Sequence, residues 1–284
     1  MLPPLQCPAM FRALLVTLPL LAGLAQAAPN TLEQRPLSLE TAQGTLHGTL
    51  LQPRSDEPLA VALLIAGSGP TDRDGNNPAD GHNDSLKKLA QNLARHGIAS
   101  LRYDKRGVAA SRAATPNERD LSVDAYVADA VAWGRLLKRD KAFDRLILIG
   151  HSEGALIASL AAPQAGADAL VTLAGSARPI DQVLREQLSY RLPPPLLAQS
   201  NRLLDSLLAG QTSTQVPDAL RVLFRRSVQP YLISLFKQHP AEAFARLKIP
   251  ALIVQGSHDI QVSVADAQAL HAAKPDAELL IVPG

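Results

Sequence analysis

One cysteine in 284 residues, Cys7, leaves almost no room for thiol chemistry. A disulfide framework, a zinc-thiolate centre and a cysteine nucleophile are excluded for everything that follows it. An excess of one charge is lacking too. The 28 basic and 26 acidic residues are spread along the chain, for a formal net charge of +2, so no electrostatic footprint marks a nucleic-acid partner or an anionic surface. The apolar run Ala13 to Leu24 is well short of the ~20 residues that span a bilayer. With Arg12 before it and the small residues of Ala25-Gln26-Ala27 after it, the run reads instead as the core of a cleaved secretory signal peptide over residues 1–27. Met10 directly precedes this pattern and is the candidate true start, and the mature chain is expected to begin near Ala28. No cysteine follows the run to carry a lipid, so the expected product is periplasmic or secreted, without a stable membrane anchor.

Beyond the leader, 46% hydrophobic content is ordinary for a packed core. Apolar runs of strand length alternate with stretches of helical period, the pattern of a mostly parallel sheet with helices on both faces. The fold class is therefore α/β. Leu37 to Thr41 and Thr45 to Leu51 read as an opening antiparallel hairpin, and Leu59 to Ala66 as a strand buried on both faces. Asp84 and Ser85 are placed to cap a helix from Leu86 to His96 that stops at Gly97, and the strand Ile98 to Tyr103 follows. A helix from Val123 to Lys138 leads to the strand Arg145 to Ile149, and another helix starts past Ser152. Then come the strand Ala169 to Leu173, a long helical region, the strand Ala251 to Gln255, the helix Val264 to Ala273 and the strand Glu278 to Val282.

The helical region, residues 179–247, is broken by Pro193-Pro194-Pro195, Gly210 and Pro217 and offers no buried-strand run. It reads as a helical cap inserted between two parts of a core, residues 28–178 and 248–284. At the C-terminal edge of a parallel sheet such an insertion lies over the crevice where these folds bind ligands.

Three constellations carry chemistry. Gly150-His151-Ser152-Glu153-Gly154 has the G-x-S-x-G form between a strand and a helix, where Gly150 and Gly154 permit a tight elbow that holds the serine out as a nucleophile. Ile65-Ala66-Gly67-Ser68-Gly69-Pro70 ends the first buried strand, and its Ser68 N–H, with that of Glu153, is the candidate oxyanion hole. Gln255 to Val262 follows a later strand and carries Asp259, the candidate acid that orients a base. Asp266 and Asp276 suit that role less, one being inside a helix and the other in a turn. Thr71-Asp72-Arg73-Asp74-Gly75-Asn76 resembles a calcium loop superficially but lacks the closing glutamate, so no metal is expected.

With these residues assembled, the chain resembles the α/β-hydrolase superfamily from about Pro36 to Gly284, in particular the bacterial serine-aminopeptidase-like esterases. Residues 66–76, Tyr103-Asp104-Lys105-Arg106-Gly107, residues 150–154 and residues 255–262 carry the likeness. The resemblance implies an α/β-hydrolase fold and a carboxylesterase cleaving short acyl esters of a small-molecule substrate through a Ser-His-Asp triad, with no cofactor. It also implies that Asp104, Arg106 and Gly107 are structural. Ala109 stands where the superfamily often has a second glycine. In the family the catalytic histidine follows a segment that begins like Val282-Pro283-Gly284. The histidines present do not meet the triad order: His151 and His258 flank the nucleophile and the acid, where they are expected to point away, His271 belongs to a helix, and His47, His82, His96 and His239 come too early. The sequence is thus expected to be truncated before its general base, and inactive as it stands. An aminopeptidase-like amide hydrolase, with Glu153 or a cap carboxylate binding a substrate ammonium, is the alternative within enzymes. A non-catalytic binding protein on the same fold is the alternative outside them. Oligomeric state is not legible.

Overall fold

A computed structural model describes residues 32–78 and 81–284. The leader read in residues 1–27 lies outside the described residues.

Eight strands form one sheet in the order β1-β2-β4-β3-β5-β6-β7-β8. The strands β1 (Leu32–Thr41) and β2 (Gly44–Pro53) make the antiparallel hairpin, and β2 pairs antiparallel with β4 (Ala99–Tyr103). All remaining neighbours are parallel: β3 (Leu59–Ile65), β5 (Phe143–His151), β6 (Ala169–Leu173), β7 (Ala251–Gly256) and β8 (Glu278–Val282). The outer edge of β1 is half exposed and carries Glu33, Arg35, Pro36 and Glu40.

In β3, Val61, Leu63 and Ile65 enter the large hydrophobic cluster on one face while Ala62 and Leu64 enter a second cluster on the other. The period of two explains how a continuous apolar run serves both layers. Helix α1 (Ser85–Arg95) covers the second face through Ala90 and Ala94. Helices α2 (Val123–Arg139), α3 (Glu153–Ala165) and, later in the chain, α9 (Val264–Ala273) cover the first.

The α1 helix starts differently from the sequence expectation. Asp84 adopts φ 52° and makes no side-chain cap; its carboxylate accepts from Asn76 Nδ2 at 2.8 Å instead. The side chain of Asn76 is buried and its Oδ1 accepts the backbone N–H groups of Asn83 and Asp84, both at 2.9 Å. The capping residue is thus recruited to close the preceding loop.

Between β6 and β7 lie five α-helices, a short 3-10 turn (Asp218–Leu220) and no strand: α4 (Ile180–Ser189), α5 (Pro194–Leu208), α6 (Arg221–Phe224), α7 (Gln229–Phe236) and α8 (Pro240–Ala245). Their buried residues Leu203, Leu204, Phe224, Leu232 and Phe244 belong to the same cluster as the core beneath α2 and α3. Among the described residues, no helix is long and apolar enough to cross a membrane.

Candidate active site

The strand order reverses at β3: the chain runs from β3 to β4 on one side, while β5 lies on the other. A crevice opens at such a switch point, outside the carboxyl ends of the strands. Register places Ile65 beside Gly150, so the loop after β3 and the turn after β5 leave the sheet side by side. These are the loops of Gly67-Ser68 and of Ser152.

The turn is as tight as two missing side chains allow. A methyl group on Gly150 would lie 2.1 Å from the Gly154 carbonyl oxygen, and one on Gly154 would lie 2.3 Å from that of Ile65. Between them Ser152 adopts φ 53° and ψ −119°, a conformation costing roughly 1–3 kcal/mol for a non-glycine residue. Its N–H is held by Leu173 O at 2.8 Å and its carbonyl accepts from Ala155 N at 2.9 Å. The side chain is half-buried. A methyl group on Gly67 would sit 3.4 Å from Ser152 Cβ, so the β3 loop presses against the serine with nothing between them. The backbone N–H groups of Ser68 and Glu153 make no hydrogen bond to any described residue.

At the end of β7, Asp259 is fixed by its own turn. Its Oδ1 accepts from Gln261 N at 2.8 Å and Val262 N at 3.0 Å, and its Oδ2 takes a longer bond, 3.3 Å, from Gln255 Nε2. Desolvation lowers the pKa of the His151 ring and Asp259 raises it in opposition. The His151 ring lies against the β3 loop: its Nδ1 would be 3.0 Å from a methyl group on Gly67. Among the described residues, no histidine hydrogen-bonds to Ser152 or Asp259. His47 meets Ser38, His258 meets Ser257, His96 meets Asn92 O, and His239 precedes α8.

Asp266 is fully occupied elsewhere. It accepts from Ser176, Ser263, Ala177 N and Arg178, an anchor between the start of the helical insertion and α9. Asp276 pairs with Lys274. In residues 71–76, Asp72 Oδ1 accepts from Asp74 N and Asn76 N, both at 2.9 Å, and Asp74 pairs with Arg102 at 2.7 Å. The loop's acids hold backbone and arginine. Among the described residues, no group of three His, Cys, Asp or Glu is arranged to hold a metal ion.

Beneath the serine lies a buried polar cluster that the sequence did not announce. Lys105 Nζ donates to Gly67 O at 2.5 Å, stands 4.0 Å from Glu153 Oε1, and lies 5.2 Å from the centre of the Tyr126 ring. Tyr231 of α7 packs edge-on against Tyr126, with ring centres 5.5 Å apart. Burial pushes the Lys105 ammonium below the usual lysine pKa, against the pull of Glu153, and burial raises the Tyr126 and Tyr231 hydroxyls. Next to it Arg106 clasps Asp129 through Nε at 2.7 Å and Nη2 at 2.5 Å. Asp104 accepts from Arg73 N at 2.8 Å, Arg73 Nη2 at 2.7 Å and Ala110 N at 3.1 Å. One signal was available: Asp104, Lys105 and Arg106 directly follow a fully buried strand and are themselves buried.

The family model described as serine aminopeptidase, S33, matches residues 79–284. The chain belongs to this family. Serine aminopeptidase-type hydrolases share the α/β-hydrolase fold, and solved structures agree. Est1E from Butyrivibrio proteoclasticus, determined with ferulic acid bound, superposes with a TM-score of 0.60 at 16% identity, over 87% of this chain and 89% of that one. The α/β hydrolase GrgF from Penicillium sp. sh18 does so with a TM-score of 0.58 at 21% identity, over 89% and 90% of the two chains. By sequence, the chain is 29% identical to Esterase EstD of Thermotoga maritima over 250 residues. That match takes in 84% of this chain but only 55% of the relative's length.

Proposed function

We propose that the protein is a serine hydrolase of carboxylic esters, acting on short acyl esters with Ser152 as nucleophile. The observation that carries the reading is Ser152 itself. Its strained backbone is held by glycines on either side, its Cβ lies against the β3 loop, and the N–H groups of Ser68 and Glu153 make no hydrogen bond to any described residue. Ser152 Oγ attacks the ester carbonyl, and its proton passes to a base and then to the departing alcohol as the C–O bond breaks. Ser68 N–H and Glu153 N–H hold the negative oxygen of the tetrahedral intermediate, at about 3–4 kcal/mol for each donor. Water then hydrolyses the acyl-enzyme by the same steps. The base in this reading is a histidine oriented by Asp259. The leader pattern assigns the activity to the periplasm or the exterior.

Paired charges favour an ester over the amino terminus of a peptide. Glu153 is buried and faces Lys105, so it is not free to receive a substrate ammonium. All five carboxylates of residues 179–247 are paired with arginine: Asp181 and Asp205 with Arg185, Glu186 with Arg178, Asp218 with Arg221 and Glu242 with Arg246. The relative from Thermotoga bears the name esterase, which supports the same choice.

The test is fluorophosphonate labelling of the full gene product beside Ser152→Ala, followed by a panel of acyl esters and aminoacyl amides. Ser152-dependent labelling with turnover confined to esters is expected. Labelling that persists in the variant defeats the nucleophile assignment, and preferential amide turnover defeats the substrate class.

A further inference from the structure

We propose that Lys105 is a positioning residue for the oxyanion hole, its ammonium holding both the Gly67 carbonyl and the Glu153 side chain so that the two amide donors face the reacting oxygen. The inference rests on the esterase reading for its catalytic consequence, but the clamp can be tested without it.

Geometry comes first. A trans peptide is planar, so its C=O and N–H point in opposite directions. The Gly67–Ser68 peptide has its oxygen on Lys105 Nζ at 2.5 Å. Fixing that oxygen fixes the direction of Ser68 N–H on the other side. A charged donor on the carbonyl also polarises the amide, which strengthens its N–H as a donor. The second oxyanion donor belongs to Glu153, whose carboxylate lies 4.0 Å from the same ammonium. One buried side chain thus touches both residues that supply the hole, one from the β3 loop and one from the serine turn.

The surroundings fit a device rather than a filler. Lys105 is 1% exposed, and a lysine so buried is costly unless paired. Every element packed on it presents a defined partner: Tyr126 from α2 under the ammonium, with Asp129 and Arg106 clasping each other beside it, Glu153 from α3, and Tyr231 from α7 against Tyr126. The hydroxyl of Tyr231 and Oε1 of Glu153 have no partner at hydrogen-bond distance, and Glu153 helps to raise the Tyr231 pKa. The ammonium is therefore the main counter-charge for Glu153 as well as the anchor of the loop, and the cap helix α7 closes the chamber.

The experiment combines NMR on the parent protein with kinetics on variants. In the parent, the Gly67 carbonyl ¹³C and Ser68 amide resonances are followed with the Lys105 ¹⁵Nζ resonance as pH is raised. All three are expected to move together with one midpoint. A Gly67 carbonyl that ignores the lysine titration overturns the proposal, whatever the protein hydrolyses. For kinetics, Lys105→Met removes the ammonium, and Lys105→Met with Glu153→Gln does so without leaving a buried bare carboxylate. In whichever variant retains a cooperative thermal transition, kcat for a short acyl ester is expected to fall about 10- to 100-fold, short of or equal to the loss of a whole oxyanion donor. KM is expected to stay within twofold, and Lys105→Arg to recover part of the loss. A folded variant with kcat within twofold of the parent overturns it. Ester turnover that survives Ser152→Ala would defeat the nucleophile assignment alone, leaving the titration to decide the clamp.

Discussion

The guanidinium of Arg178 meets the carboxylate of Asp266 through two nitrogens, Nε to Oδ1 at 3.0 Å and Nη2 to Oδ2 at 2.9 Å. Arg178 stands where the chain leaves β6 for the helical insertion, and Asp266 lies in the first turn of α9. This contact ties the entrance of the insertion to the helix that follows the Asp259 loop, and Arg178 also pairs with Glu186 of α4.

That tie is expected to be sensitive to acid. Burial alone would raise the Asp266 pKa, but the bonds from Arg178, Ser176 and Ser263 bring it down to about 2 from an ordinary 3.8. A depressed carboxylate contributes stability above its unfolded pKa and loses it as pH falls toward the folded one. Asp266→Asn should therefore cost roughly 2 kcal/mol at pH 7. The gap from the parent should close as pH falls from about 4 to about 2. Urea unfolding across that range measures it, and a constant gap would contradict the assignment.

At the serine turn, steric fit leaves no slack. Gly150→Ala and Gly154→Ala each drive a methyl group into backbone at under 2.4 Å. Backbone cannot rotate aside as a side chain can, so each should cost more than about 3 kcal/mol or prevent folding. Thermal denaturation and soluble yield give the readout; a variant as stable as the parent would mean that the turn is looser than described.

Ala109 points the other way. It adopts φ 43° without being glycine, a left-handed conformation that costs an L-residue roughly 1–2 kcal/mol. Ala109→Gly relieves this and gives back part of it in unfolded-chain entropy, for a net gain of about 0.5–1 kcal/mol. A rise in the midpoint of urea unfolding is expected, and no change would mean that the strain is absorbed elsewhere.

Arg106 and Asp129 are both buried and clasp each other through two bonds. Removing one partner strands a charge, so Arg106→Met should cost about 3–5 kcal/mol. Replacing both, Arg106→Met with Asp129→Leu, should recover most of it. A double-mutant cycle decides whether the pair is coupled in this way.

Some elements were legible to the residue. Ala169–Leu173, Val264–Ala273 and Glu278–Val282 appear with the bounds the pattern implies. Elements extended by backbone pairing were not: β1 begins at Leu32 rather than Leu37, since its outer half is held by partners in β2 rather than by a buried face. The α1 cap failed for a similar reason, because Asn76, eight residues away, competes for Asp84. At the candidate site, the tight turn at Ser152 was readable because it needs glycines at fixed spacing. Lys105 was not, because its partners come from β3, α2, α3 and α7 and share no local pattern.

The strand at the margin of the sheet has a consequence for how copies of this protein meet. Ten residues long and, among the described residues, paired along one side only, β1 would be an open invitation to a foreign strand. Pro36 interrupts its ladder of donors, and Glu33, Arg35 and Glu40 crowd the approach with charge. This border is a terminus rather than a template, and crowded solutions should not grow sheets across it.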